Sequence, residues 1–234
     1  IHNYWSDLDE RLVVLQDKGF VKLPSIKLLG IESFEEGISK EIGDDTFKEK
    51  SKTHSLFLKN LDIDTYLVPK LYKLAQDFYG YKGSQENQYH IGRKVSPGNS
   101  KEMYRSHFDS HIFTIVFPLK IPPAEGNTYD RGELIFYPKQ RNMPKNELIN
   151  FFGKVYYKKY ASKSGLDNLS KKYKQKTETF DDYCPILFLG NTTLHTNKPV
   201  SSNLSSYRLT LLAHFFDPSP KYGVGSILRF LRGR

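Results

Sequence analysis

The spacing of apolar residues changes about a third of the way along the chain. Before residue 84, apolar positions recur three or four residues apart, which predicts a helix from about Asp7 to Asp17 and a stronger amphipathic helix from Asp64 to Tyr79. Ser6 and Ser33 stand at the predicted N-caps of two helices, and Gly80 is the predicted end of the Asp64 helix. The first third, about 1–84, is therefore predicted to be helical.

The next part of the chain, about 85–217, has the pattern of short strands. Five segments are rich in Ile, Phe, Tyr, Val and Thr and are separated by Gly, Pro and Asn: ENQYHIGRKV, SHIFTIVFPLKI, GELIFYP, CPILFLG and SYRLTLLAHFF. Helices followed by mostly antiparallel strands predict an α+β fold with a sandwich or barrel core. Since no linker or repeat interrupts the chain, residues 1–234 are predicted to form one domain.

One connection is too long for a plain link between strands. Residues 144–178 separate the third and fourth strand segments, and Asn146 to Tyr160 has the pattern of an amphipathic helix followed by lysines and tyrosines. Two interpretations are open for this insertion. It is either a solvated helix kept soluble by its lysines, or a lid or wall over the mouth of the β core that contacts an anionic substrate.

Composition adds two expectations. With Cys184 as the single cysteine the chain has no internal disulfide, which favours a reducing compartment and a cytoplasmic location. The formal net charge of +9 favours an anionic partner, whether a small metabolite, an acidic carrier, a lipid surface or nucleic acid. The C-terminal YGVGSILRFLRGR is apolar and basic, and we expect either a docked surface helix or contact with an anionic membrane or another domain.

Candidate chemistry begins in the stretch MYRSHFDSHIFTIVFPL. On a strand, His107 and Asp109 point to the same side, so an imidazole and a carboxylate can reach one divalent metal. His111 continues the alternation but lies beyond easy reach of the same ion. A His-x-Asp triplet alone is a weak signal.

Two later residues strengthen it. His195 follows an apolar strand and a Gly-Asn turn, and Arg208 lies within the apolar segment SYRLTLLAHFF. A buried guanidinium needs an anionic partner. Taken singly, His195 is explained by packing and Arg208 by a structural salt bridge, but the combination and its order point to a shared site.

In this order, His107-Phe108-Asp109, His195 and Arg208 resemble the pattern of the iron(II)- and 2-oxoglutarate-dependent dioxygenases. The segments LQDKGFVKLP, RGELIFYPK and PILFLGNTTLHTNKPVSS are also similar to that family, and its phytanoyl-CoA dioxygenase-like and prolyl-hydroxylase-like branches are nearest. Collagen-type prolyl hydroxylases carry Lys where this chain has Arg208. The resemblance implies a double-stranded β-helix (jelly-roll or cupin-like) core with N-terminal helices and a helical insertion.

The resemblance also implies the site. Fe(II) would be held by His107, Asp109 and His195, which are the predicted catalytic residues, and 2-oxoglutarate and O2 would bind the open metal positions. The remote carboxylate of 2-oxoglutarate would pair with Arg208, helped by Thr210. Three further residues before the motif or on the preceding strand are weaker candidates for lining the co-substrate or substrate cavity: Tyr104, Tyr89 and Arg93. Tyr104 is the one assigned to cofactor binding; the alternatives are aromatic packing for the tyrosines and a surface charge for Arg93.

The implied reaction is hydroxylation of a C–H bond with release of succinate and CO2. The carboxylate of Asp109 argues against the family's halogenases, which have a small residue there. The substrate is not determined by the sequence, although the charge and the tyrosines fit an anionic or saccharide-bearing small molecule.

Three other classes of protein share part of this pattern. A cupin-like metal- or ligand-binding module without turnover would have the same metal site but no need for Arg208, and a zinc hydrolase likewise leaves Arg208 unexplained. Nucleic acid binding is suggested by the charge. Against it, nucleic-acid demethylases of this superfamily carry a second arginine where this chain has His214. The sequence does not indicate an oligomeric state.

Overall fold

The computed structural model of the chain describes residues 2–44, 46–49, 51–99, 103–124, 130–144 and 147–219. Its helices are α1 (Leu8–Lys18), α2 (Glu32–Ile42), α3 (Lys52–Asn60), α4 (Ile63–Tyr66), α5 (Val68–Tyr79), α6 (Glu147–Tyr157) and α7 (Lys163–Ser170). Short 3₁₀ turns lie at His2–Trp5, Lys27–Leu29 and Lys158–Tyr160. Its strands are β1 (Phe20–Lys22), β2 (Phe47–Glu49), β3 (Gln88–Val95), β4 (Phe113–Lys120), β5 (Leu134–Tyr137), β6 (Lys176–Glu178), β7 (Ile186–Leu189), β8 (Leu194–Asn197) and β9 (Arg208–Phe215).

The first predicted helix is confirmed, but both predicted N-caps are wrong. The N-cap of α1 is Asp7, whose carboxylate forms an ion pair with Arg11 at 2.6 Å and makes no capping hydrogen bond. α2 begins at Glu32 after Ile31, so Ser33 lies inside the helix. Ile31 is buried in the core, and its packing sets the start of α2 ahead of the capping signal.

The predicted helix from Asp64 to Tyr79 is divided in two at Leu67, between α4 and α5. Pro69 explains the division, since it has no backbone N–H to continue the hydrogen-bond ladder of α4 and is tolerated only in a first turn. Gly80 ends α5 in the left-handed region, at φ 63°.

The strands form two antiparallel sheets. The larger has the order β1-β7-β4-β9-β3-β2, and the smaller has the order β6-β5-β8. All five predicted strand segments contain a strand, whereas β2, β6 and β8 were not predicted as strands. An isolated antiparallel bridge between His107 and His195 extends the smaller sheet beyond β8.

The strands at the centre of the larger sheet are covered on both faces, which explains their nearly continuous apolar sequence. On β9 the alternate residues Leu209, Leu211, Ala213 and Phe215 pack against the helices. The apolar cluster between the sheets contains Val116, Leu134, Phe136, Phe180, Ile186 and Phe188, and Leu212 of β9 packs against it. Because strand residues alternate, Arg208, Thr210 and His214 face the space between the sheets with Leu212.

Of the helices that the structure describes, none has the length and apolar character needed to cross a membrane. The predicted helix of the insertion is confirmed as α6, although Asn146 lies outside the described residues. The C-terminal segment with Arg229, Arg232 and Arg234 also lies outside them.

Candidate metal centre

The smaller sheet brings the two distant histidines together. His107 and His195 are bridge partners: the N–H of each donates to the carbonyl of the other, at 3.0 and 3.1 Å, and their rings are 4.4 Å apart. The N–H of Asp109 donates to the carbonyl of Gly190 at 3.1 Å, which fixes the turn after His107. Backbone pairing thus brings together two histidines that are 88 positions apart in the chain.

The donor atoms of these three residues converge. Asp109 Oδ1 lies 3.6 Å from His107 Nε2 and 3.7 Å from His195 Nε2, and all three donors lie within 4.8 Å of one another. His107 Nδ1 is 2.7 Å from the carbonyl of Arg105, and His195 Nδ1 is 3.1 Å from that of Thr193. Since a carbonyl only accepts, each Nδ1 carries a proton, so in the neutral ring the Nε2 lone pair is the one available to a metal. The cluster is able to bind a divalent metal.

The second oxygen of the Asp109 carboxylate is held separately. Thr114 Oγ1 donates to Oδ2 at 2.5 Å, and His214 Nδ1 lies 3.7 Å from the same oxygen. Burial alone would raise the pKa of Asp109, but electrostatic interaction with the rings of His195, His214 and His107, together with the Thr114 hydrogen bond, holds it well below its usual range. The carboxylate is therefore ionised at neutral pH.

Sequence reasoning did not identify Thr114 or assign His214 to the site. The two residues are cross-strand partners on β4 and β9, and Thr114 Oγ1 lies 3.0 Å from His214 Nδ1. The sequence does contain a signal for both: each is a polar residue at an inward-facing position of an otherwise apolar strand. His111 is not among the converging donors of the described residues; its ring stacks on those of His214, at 5.3 Å, and Tyr89, at 6.0 Å.

The cluster is open on one side. The side chains of Asp109 and His195 are each 9% exposed, whereas that of His107 is 49% exposed. A molecule approaching from solvent therefore meets the His107 side of the cluster.

Arg208 is buried, with 2% of its surface exposed, and no hydrogen bond or ion pair to its guanidinium occurs within the described part of the chain. The structural salt bridge that would explain Arg208 taken singly is therefore absent from the described residues. Burial, followed by the charge of Arg93, lowers the pKa of Arg208 to about 9, with Glu133 opposing. The side chain thus stays cationic at neutral pH and lacks a counter-ion in contact.

The space beside Arg208 depends on a glycine. Gly132 has φ +82°, and a Cβ placed on it would lie 2.7 Å from Arg208 Cδ. Thr210, the predicted partner of Arg208, is buried on the same face of β9 and pairs in register with Arg93 of β3. Burial is the main cause that lowers the pKa of Arg208 and of His107, and the charge of Arg93 lowers both further, so Arg93 contributes to the positive potential of the space between the sheets.

Tyr104 lies on the other side of the smaller sheet. It has φ +54°, its N–H donates to the carbonyl of Asn197 at 3.0 Å, and its ring packs with Tyr157 and Tyr160 against the cluster that contains Phe108. Its cofactor-binding role stays a prediction.

The insertion contacts the loop that carries the metal ligands. Lys154 Nζ donates to Ser110 Oγ at 3.1 Å, and the Tyr157 ring packs edge-on against Phe108 at 5.0 Å. The Arg141 guanidinium lies over the Phe108 ring, 3.9 Å from its centroid. Phe108 stands between the ligands His107 and Asp109, so the insertion adjoins the site.

No protein-family model matches the sequence, and no curated protein matches it. Solved structures do. A prolyl-4-hydroxylase from Pseudomonas putida superimposes with a TM-score of 0.54 at 13% identity, covering 89% of this chain and 98% of that one. A prolyl 4-hydroxylase from Phytophthora capsici gives 0.55 at 13% identity, covering 99% and 72%. EvdO2 from Micromonospora carbonacea var. aurantiaca, complexed with 2-oxoglutarate, gives 0.53 at 12% identity, covering 89% and 90%.

The chain shares the fold of these two prolyl hydroxylases and of EvdO2. In this fold the three converging donors lie at the edge of the smaller sheet, and Arg208 lies on β9 of the larger sheet.

Proposed function

We propose that the protein is an iron(II)- and 2-oxoglutarate-dependent hydroxylase. The observation that carries the proposal is the pairing of a two-histidine, one-carboxylate cluster with a buried arginine that has no hydrogen bond or ion pair among the described residues. The cation–π contact of its guanidinium there is with the Phe180 ring, 5.6 Å from the centroid. Two neutral imidazoles and a carboxylate on one side of Fe(II) leave positions for a chelating co-substrate and O2. This donor set fits the metal that the oxygenase fold implies.

Each residue has a defined task in this proposal. His107, Asp109 and His195 would hold Fe(II), with Thr114 and His214 fixing the carboxylate of Asp109. Arg208 would bind the remote carboxylate of 2-oxoglutarate through its planar fork, and Thr210 would donate a hydroxyl hydrogen bond. When bound, iron would activate O2 as the oxidant: 2-oxoglutarate would be oxidised to succinate and CO2 with one oxygen atom, and the substrate C–H bond would be hydroxylated with the other.

We infer that the two sheets are the halves of a jelly-roll core. The apolar cluster between them and the His107–His195 bridge at the rim of the smaller sheet support this arrangement. The insertion would form a wall of the site, since α6 contacts Ser110 and Phe108.

The substrate would be a small molecule that reaches the metal past the exposed side of His107. The positive charges of Arg93 and the insertion favour an anionic group on it. A cytoplasmic location remains our expectation from the single cysteine.

The test is an anaerobic titration with Fe(II) and then with 2-oxoglutarate, followed by the visible charge-transfer band of the chelate. We expect the band in the wild type, a weaker band in Arg208→Ala and none in His107→Ala. Arg11→Ala, which removes a remote arginine paired with Asp7, is the matched control and should keep the band. Metal binding without a band at saturating 2-oxoglutarate would favour a cupin-like metal-binding module without turnover.

A further inference from the structure

Helix α6 has its amphipathic faces reversed relative to an ordinary surface helix. Its outward side consists of apolar and aromatic residues that are between 40% and 65% exposed: Leu148, Ile149, Phe151, Phe152, Val155 and Tyr156. We call these six residues the outer face. At 100° per residue they cover one continuous arc of about 160°. By contrast, α5 buries its apolar residues Val68, Leu71 and Ala75.

The inward side of α6 is the polar one, and specific contacts hold it there. Asn150 Oδ1 accepts from Arg141 Nη2 at 2.8 Å, and Tyr157 Oη donates to the carbonyl of Gln140 at 3.1 Å. Lys154 Nζ donates to Ser110 Oγ. Gly153 permits the close approach of Arg141, because a Cβ there would lie 2.7 Å from Arg141 Nη1. Turning the helix over would break these bonds, so the exposure of the outer face is fixed by the fold.

The chain that follows the outer face is strongly positive, and one of its first lysines adjoins that face. Residues 144–178 contain nine lysines and three acidic residues. Six of the lysines are exposed after α6: Lys158, Lys159, Lys163, Lys171, Lys172 and Lys174. Lys159 Nζ lies 3.7 Å from the centroid of the Tyr156 ring, so the cationic segment directly adjoins the apolar residues. A contiguous exposed apolar surface of this kind marks an interaction site.

A second copy of the chain fits this surface poorly. An 11-residue helix is about 16 Å long and about 10 Å wide, whereas a stable dimer buries about 800 Å² on each partner. A two-fold contact through the outer face would also place the lysine-rich segments of the two copies against each other.

An anionic lipid surface fits both features. A helix lying in the membrane interface buries an apolar face among the acyl chains, while flanking lysines meet the negative headgroups. We infer that the outer face of α6 docks the protein on an anionic lipid surface. Because the inner side of α6 contacts Ser110 and Phe108, docking would hold the loop that carries the metal ligands near the lipid, with α6 between them.

The experiment is sedimentation of the full chain with lipid vesicles. We expect binding to phosphatidylcholine vesicles containing phosphatidylserine, weaker binding to phosphatidylcholine alone, and a further decrease at high salt. Phe152→Ser should lower the partition coefficient on the anionic vesicles at least about tenfold, because it removes a large apolar side chain from the interface. Lys158→Glu combined with Lys159→Glu should lower it similarly.

The controls are matched in exposure and charge. Phe78 on α5 is 65% exposed, as Phe152 is, so Phe78→Ser tests the loss of an exposed phenylalanine elsewhere. Lys48→Glu combined with Lys82→Glu makes the same charge change on exposed lysines outside the insertion. We expect both controls to retain wild-type partition within about threefold after correction for net charge. His107→Ala should also bind vesicles normally, which separates this inference from the proposed hydroxylase function.

Three outcomes would overturn the inference. If the wild-type protein stays in the supernatant with anionic vesicles, the outer face does not bind lipid. Undiminished binding of Phe152→Ser would place the lipid contact elsewhere on the chain. A concentration-dependent dimer in analytical ultracentrifugation that Phe152→Ser abolishes would assign the outer face to a second copy.

Discussion

The two oxygens of the Asp109 carboxylate have different partners at the metal centre. Oδ1 faces the two histidines, while Oδ2 accepts the Thr114 hydroxyl. In Thr114→Val the shape is kept but this hydrogen bond is lost, so the carboxylate gains freedom and metal affinity should fall about 10- to 100-fold. Calorimetric titration with Co(II) or Mn(II) measures the change.

Thr196→Val is the control for that substitution. Thr196 is buried on the strand that carries His195, but its hydroxyl has no hydrogen-bond partner in the described structure. We expect its metal affinity to stay within about threefold of the wild type, since no bond to a ligand is removed. Equal losses of metal affinity in Thr114→Val and Thr196→Val would mean that the loss comes from reduced protein stability and not from the hydrogen bond to Asp109.

Gly132 sets the position of Arg208. In Gly132→Ala the new Cβ would meet Arg208 Cδ at 2.7 Å, and the backbone has φ +82°. We expect about 1–2 kcal/mol of lost stability from the backbone, together with a marked loss of 2-oxoglutarate affinity as the guanidinium is displaced. Titration of the Fe(II)-loaded protein with 2-oxoglutarate checks the affinity.

Gly30→Ala separates these two effects. Gly30 also has positive φ, at +63°, but a Cβ there would meet nothing within 4 Å. It should show a similar loss of stability with unchanged 2-oxoglutarate affinity. Should both variants lose affinity alike, the contact with Arg208 would not be the cause.

At the scale of elements, α3 packs on the sheet through a glycine. A Cβ on Gly92 of β3 would lie 2.4 Å from His54 Nε2 and 3.0 Å from Ile38 Cγ2. Gly92→Ala should therefore push α3 and α2 away from the sheet and cost about 1–3 kcal/mol of unfolding free energy. Urea unfolding followed by circular dichroism measures it.

The combination of Gly92→Ala with His54→Ala tests whether that packing is the reason. If His54 is the obstacle, the two losses of unfolding free energy should be less than additive by about 0.5–3 kcal/mol. Strict additivity would contradict the packing explanation.

Elements that pattern alone failed to predict are short. β6 and β8 have three and four residues. Each is stabilised by pairing with β5 and lacks an apolar segment long enough to predict a strand. α3 has nine residues and depends on its Ser51 cap and on burial of Phe57 against the sheet residue Phe117. Such elements acquire their stability from tertiary contacts, which local sequence does not record.

For the whole molecule, buried histidines predict a dependence of stability on pH. Burial, followed by the charge of His214, lowers the pKa of His90 to about 4, with Asp64 opposing, and burial lowers the pKa of His54. Below the unfolded value of about 6.5 the unfolded chain takes up protons that the folded chain excludes. Stability is therefore complete above about pH 6.5 and decreases as the pH falls toward 4.

His90 should contribute up to about 1.4 kcal/mol per pH unit to this decrease. Urea unfolding of the wild type and of His90→Gln between pH 7.5 and 5.5 measures the contribution. We expect a shallower decrease in the variant, and identical slopes would show that His90 does not resist protonation in the folded chain.

By itself the sequence determined the helical first third, the five main strands and the three metal-binding candidates. Apolar periodicity reports which residues are buried, and His-x-Asp with a distal His restricts the chemistry to few classes. The tertiary structure decided the rest. Thr114 and His214 are 100 residues apart and meet at Asp109 only through the register of β4 with β9. Likewise, the polar contacts of α6 turn its apolar face outward, because orientation depends on partners that lie elsewhere in the chain.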